Sequence, residues 1–168
     1  ERLEDEFKRI ATQQVEPDGM KFKPASVRGV MIREGQAYEG VRVTMQAELA
    51  RAVISVKVDI AFGDSTEPGL TEEELPALLD FPAPRLKAYR PETVVAEKFE
   101  AMVKLGIANS RMKDFYDLYV ISRAMTFDRH DLSKAVRATF DRRGTARPLE
   151  PPTALTDAFT TDAAKQAQ

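Results

Sequence analysis

The sequence predicts an α+β fold in which a strand-rich half precedes a helical one. Two patterns carry this prediction. Between Val41 and Phe62 apolar residues recur at every second position, the period of a half-buried strand. From Pro91 to Arg147 they recur at the three-and-four spacing of amphipathic helices. A Pro- and Gly-rich stretch over 63–90 closes the first pattern. The chain is therefore expected to divide into a sheet domain over residues 1–90, a helical region over 91–147 and a weakly structured tail over 148–168.

The opening helix is predicted over Glu1 to Val15, where Leu3, Phe7, Ile10 and Ala11 share a face before EPDG turns the chain. A strand follows from Lys21 to Ile32, and REGQAYEG makes the turn into a second strand, Val41 to Leu49. There Val41, Val43, Met45, Ala47 and Leu49 alternate with Arg42, Thr44, Gln46 and Glu48, so one face is buried. After a tight connection at Ala50 to Ala52 comes the innermost apolar strand. It sets Ile54, Val56, Val58, Ile60 and Phe62 on one face and Ser55, Lys57 and Asp59 on the other. Short connections imply an antiparallel meander, and its apolar face needs more cover than the first helix can supply. The stretch 63–90 is expected to hold one short helix and a short strand near Leu86 to Tyr89. Pro91 and Glu92 suit a first helical turn, where proline loses no useful N–H and an acid meets the positive end of the dipole, and Gly106 ends that helix. Further helices are predicted over Met112 to Ala124 and over Asp131 to Phe140, the second capped by Asp131 and closed by Gly144. Another can start near Thr153.

Composition removes several function classes. With no cysteine, disulfides, thiolate zinc sites and a cysteine nucleophile are excluded, and the single histidine, His130, argues against a histidine-rich metal site. No apolar run approaches the ~18 residues of a membrane span and the start lacks a signal-peptide pattern, so a cytoplasmic protein without a membrane partner is expected. The net charge of −2 gives no overall nucleic-acid signal. Charge is nevertheless uneven, with acids and no base from Asp64 to Asp80 and a basic run from Arg123 to Arg147 that is either solvated surface or an anion-binding face.

Two helices aim charge at apolar surroundings. In RPETVVAEKFEAMVKLG, Lys98 falls about 40° from Val94 and about 60° from Val95, inside the arc a helix turns toward a core. In NSRMKDFYDLYVI, Lys113, Asp114 and Asp117 cluster beside Val120 and Ile121, while Met112, Phe115, Leu118 and Tyr119 take the other side. Buried charges persist only when paired or bound to a ligand or metal. Lys98 can hold a polyphosphate through group transfer, snorkel past the core, or pair with Asp114 or Asp117. The two aspartates can order Lys98, take a proton from an attacking hydroxyl, or lock two helices together. Arg111 and Lys113 are candidate phosphate contacts or plain surface charge. Asp59, at a strand end with Lys57 on the same face, is either a magnesium-binding carboxylate or a solvent-facing residue.

The run RPETVVAEKFEAMVKLGIANSRMKDFYDLYVI, with YEGVRVTMQAEL, VKVDIAFGD and ATFDRRGT, resembles the AbiEii/AbiGii family of nucleotidyltransferases, the toxins of type IV toxin–antitoxin and phage abortive-infection systems. The AEK and SRMKDFYDL motifs, in this order and at this interval, are its most specific part. The resemblance implies a partial polymerase-β-like domain with an antiparallel or mixed sheet, followed by helices. It further implies magnesium, a nucleoside triphosphate as substrate, an acceptor such as a tRNA 3′ end, and a cognate antitoxin as partner. On this match Asp59 resembles the strand-borne metal acid, Lys98 the lysine of the AEK motif, and Asp114 and Asp117 the acids of the KDxxD motif. Lys57, Arg111 and Lys113, read from the residues themselves, are the candidate nucleotide contacts beside them. The family also opens with a Gly-Gly or Gly-Ser motif and an Asp-x-Asp strand, and neither occurs in these 168 residues. The chain is thus expected to be an amino-terminally truncated piece, inactive alone because two-metal chemistry needs carboxylates on both ions. The alternative is a non-catalytic interaction module that uses Lys98, Asp114 and Asp117 as a structural ion-pair network.

Overall fold

A computed structural model describes residues 2–32, 40–63 and 65–166. They form two compact units, Glu1–Gly63 and Asp64–Gln168. Among the described residues the fold is α+β, with antiparallel sheets of three and two strands and with all but one helix following the strands.

The first unit contains α1 (Arg2–Ala11), β1 (Met20–Ile32), β2 (Gly40–Leu49) and β3 (Ala52–Ala61). The strands form an antiparallel meander in the order β1-β2-β3. Val27, Val43 and Met45 are its buried core, and Phe7 and Ala11 of α1 pack on them together with Val41, Val56 and Ile60. Helix α1 docks through Glu4, whose Oε1 accepts from Gly29 N at 2.6 Å. A side chain at position 29 would meet Glu4 Cγ at 3.2 Å, so the glycine permits this approach. The helix stops at Ala11, short of the predicted Val15, because Thr12 Oγ1 turns back to the Arg9 carbonyl at 2.8 Å and the apolar stripe ends there. Pro24 lacks a ladder donor, and the β1–β2 register shifts between Lys23 and Arg28. Ser26 Oγ fills in at this bulge, donating to Lys23 O and accepting from Gln46 N. Strand β2 is the centre of the described sheet, with Val43, Met45 and Ala47 buried, so the strand bearing Asp59 is an edge and not the innermost one. The expected turn at REGQAYEG lies largely over 33–39, outside the described residues.

The second unit begins with a hairpin of β4 (Leu70–Glu74) and β5 (Arg85–Tyr89). The strand expected near Leu86 forms, whereas no short helix occurs among the described residues of this stretch. The helix-favouring acids of LTEEE lie opposite RLKAY, with Glu72 facing Lys87 and Glu74 facing Arg85, and cross-strand charge pairing overrides local propensity. Then come α2 (Pro91–Leu105), α3 (Met112–Ala124), α4 (Arg129–Arg143) and two single-turn helices, α5 (Asp157–Thr160) and α6 (Ala163–Gln166). The bounds of α2 and α3 are those the sequence predicts. Helix α4 starts earlier than predicted because Asp128, not Asp131, is the cap, its carboxylate accepting from His130 N at 2.8 Å and Asp131 N at 3.0 Å. Gly144 closes α4 in the left-handed region at φ 61°.

Met102 anchors the core of this unit with Ala154 and Phe159, against which Met112, Phe115 and Leu118 pack. Phe115 and Phe159 stack at 5.0 Å between ring centroids, and Phe99 meets Phe140 at 5.6 Å. The segment after Pro148, read from its small polar residues as weakly structured, returns to the core because Ala154 and Phe159 bury there. Replacing Phe159 with alanine is expected to cost about 3–5 kcal/mol, and Asp128→Ala about 1 kcal/mol, each read as a lower urea midpoint at an unchanged slope.

Candidate functional site

Helix α2 carries Lys98 toward α3, and there the ammonium meets both acids of KDFYD. Lys98 Nζ lies 2.6 Å from Asp114 Oδ1 and 2.9 Å from Asp117 Oδ2, with hydrogen-bond geometry to each. The sequence places Asp114 and Asp117 one turn apart, so both carboxylates reach the same side of α3. Two further cations close the cluster. Lys113 Nζ lies 2.7 Å from Asp117 Oδ2, and Arg111 Nε lies 2.7 Å from Asp114 Oδ2. The Arg111 contact is a charge contact without hydrogen-bond geometry, so the buried Oδ2 of Asp114 keeps an unused acceptor site. The structure thus brings together Lys98, Arg111, Lys113, Asp114 and Asp117 among the predicted site residues.

The two acids differ in access. The Asp114 side chain is 7% exposed and that of Asp117 is 21%, so Asp114 sits behind the ammonium and Asp117 at its rim. Burial works against the Lys98 charge, but hydrogen bonds to Asp114 and Asp117 outweigh it and raise the amine above its ordinary value. The Lys113 hydrogen bond, followed by that of Lys98, holds the Asp117 carboxyl below the usual aspartate value. A lysine kept charged beside an ionised aspartate can bind or stabilise an anion.

A second charged network, which the sequence reading missed, lies on another side of α2. The buried Glu100 accepts from Arg143 Nη1 at 2.9 Å and from Thr145 Oγ1, and Arg143 also lies 3.6 Å from Glu97. At the helix start, Arg90 bridges Glu92 and Asp131, which explains why Asp131 is not the cap of α4. Glu100 could have been found by the signal that exposed Lys98: it falls about 40° from the buried Ala96 and about 60° from Val103 around the helix. Its partner Arg143 is 43 residues away, and no periodicity links the two.

Asp59 lies in the other compact unit, on β3 opposite Arg42. Arg42 Nε and Nη2 each donate to one Asp59 oxygen at 2.7 Å, a bidentate pair that raises the Arg42 value further. Lys57 is exposed on the same strand. The described residues do not fit a resident magnesium ion. No three His, Cys, Asp or Glu side chains among them gather as a metal-holding group, and both oxygens of Asp59 already meet a guanidinium.

A family model described as Nucleotidyl transferase AbiEii toxin, Type IV TA system, matches residues 1–168. No curated protein and no solved structure matches the chain. Among the described residues, no helix is long and apolar enough to cross a membrane.

The charge cluster has a defined pH window. Because the Lys98 value is raised, its contribution is complete below the ordinary lysine value of 10.5 and fades as pH rises through the higher folded value. Because the Asp117 value is lowered, its contribution is complete above the ordinary 3.8 and is lost as pH falls through the lower folded value. The stability difference between wild type and Lys98→Met is expected to be a plateau between these limits, declining beyond both. Urea unfolding at stepped pH measures it.

Proposed function

Since the chain belongs to the AbiEii family of nucleotidyl transferase toxins of type IV toxin–antitoxin systems, we propose that it serves the transfer of a nucleotide from a nucleoside triphosphate to an RNA acceptor such as a tRNA 3′ end. The observation that carries this proposal is the surplus of cations around Lys98. Three cations, Lys98, Arg111 and Lys113, stand against two carboxylates, so a bound phosphate completes the charge balance. Arg111 and Lys113 are 56% and 83% exposed, and surface pairs of that kind contribute about 1 kcal/mol or less. They can therefore exchange an aspartate for a phosphate at little cost.

In this proposal Arg111 and Lys113 draw in the triphosphate, the acceptor hydroxyl bonds to the α-phosphorus as the α–β bond breaks, and Lys98 stabilises the charge that develops on the departing pyrophosphate. Asp114, behind the ammonium, positions it. Asp117, at the rim, faces the attacking hydroxyl. Asp59 is proposed through its match to the family pattern and Lys57 as its neighbour on the same strand face, and magnesium is expected to arrive with the nucleotide. Neither an Asp-x-Asp nor a Gly-Gly or Gly-Ser pair occurs in the 168 residues, so these residues alone are proposed to be inactive. The type IV setting of the family implies an antitoxin as the natural counterpart.

A purely structural role for the cluster is the competing explanation, favoured by the degree to which Lys98 is already paired. The two separate in an assay of label transfer from α-labelled nucleoside triphosphates to RNA, run on the full reading frame and on this chain. Lys98→Met is expected to lower transfer by the full reading frame about 10²–10³-fold while circular dichroism shows it folded. Full activity of a folded Lys98→Met would rule out the transferase role of this lysine.

A further inference from the structure

The outer face of α3 carries groups that neither the ion-pair cluster nor the core uses. Tyr116 and Tyr119 are 66% and 60% exposed, although their neighbours Phe115 and Leu118 are turned into the core. At about 100° per residue, Lys113, Tyr116, Tyr119, Val120 and Arg123 fall within an arc of about 120°. Val120 is exposed on that arc, and the Arg123 guanidinium lies 5.9 Å from the Tyr119 ring centroid. Two phenol rings thus stand between two cations along three turns of one helix.

The charge of this face is one-sided. The acids of α3 are Asp114 and Asp117, and both are engaged by Lys98, Arg111 and Lys113. A polyanion approaching the arc therefore meets cations and aromatic faces with no uncompensated carboxylate of α3. An acidic backbone with flat, stackable groups fits both features, because bases stack on aromatic side chains while phosphates take the flanking cations.

We propose that the exposed face of α3 is a docking platform for single-stranded RNA, with Tyr116 and Tyr119 as stacking residues and Arg123 as a phosphate contact. The platform borders the cluster through Lys113, which stands one turn before Tyr116 and two before Tyr119 and also holds Asp117. It rests on the proposed transfer for its purpose and names where the RNA acceptor lies.

The test measures binding alone and needs neither nucleotide nor metal, so its failure is distinct from failure of transfer. A fluorescently labelled single-stranded oligoribonucleotide is titrated with this chain, and anisotropy is read at stepped salt. Affinity is expected to fall as salt rises. Tyr116→Ala and Tyr119→Ala should each weaken binding about tenfold, Tyr→Phe at either position should keep it within about twofold, and duplex RNA should compete poorly. Arg123→Gln is expected to flatten the salt dependence. Equal binding by the alanine variants, equal loss in the phenylalanine and alanine variants, or no binding by wild type would overturn the platform. So would a loss of self-association in the alanine variants with RNA binding unchanged, which would make this face a protein contact.

Discussion

An ammonium held between two carboxylates sets how α2 and α3 meet. Lys98 cannot leave the interface without taking from buried Asp114 the donor to its hydrogen-bonded oxygen, which leaves the carboxylate only the charge contact of Arg111. The cost of an isolated buried carboxylate exceeds what a surface ion pair returns, so the pair is better described as a constraint on geometry than as a source of stability. Around this fixed point the apolar residues of α3 turn to the other side, where Phe115 and Leu118 reach the core built on Met102. Packing and charge thus divide one short helix between them.

Helix α2 is fixed from several directions at once. Lys98 ties it to α3, Glu100 ties it through Arg143 to the end of α4, and Arg90 just before it reaches Asp131 at the start of α4. Phe99 packs on Phe140 between these two links to α4. Such an arrangement leaves the helix little freedom to slide or rotate. That rigidity suits a residue that must present a charge at a set place.

Much of this was legible in the sequence where local rules act alone. Pro91 and Gly106 bounded α2, and the alternation of Val43, Met45 and Ala47 marked a buried strand face. Lys98 stood out because no local rule explains a lysine on that arc. What stayed hidden depended on distant partners. The strand over Leu70–Glu74 is imposed by β5, the choice of Asp128 over Asp131 as a cap depends on Arg90, and Glu100 needs an arginine from another helix. The pairing of Arg42 with Asp59 lies between these cases. It follows from the β2–β3 register, which runs back from Leu49 opposite Ala52, but only once the hairpin is known to be that tight.

The opposed charge links of α2 also bear on which sequence changes this unit can absorb. Exchanging one apolar residue for another alters volume by a little, and a core can adjust. Inserting or deleting a single residue between Glu92 and Lys98 would turn one end of the helix by about 100° against the other. The Arg90 bridge and the Lys98 link could then no longer form together. Drift in this stretch is therefore confined to substitution, and changes of length belong to the exposed connections, such as the turn around Leu149 before the chain returns to the core.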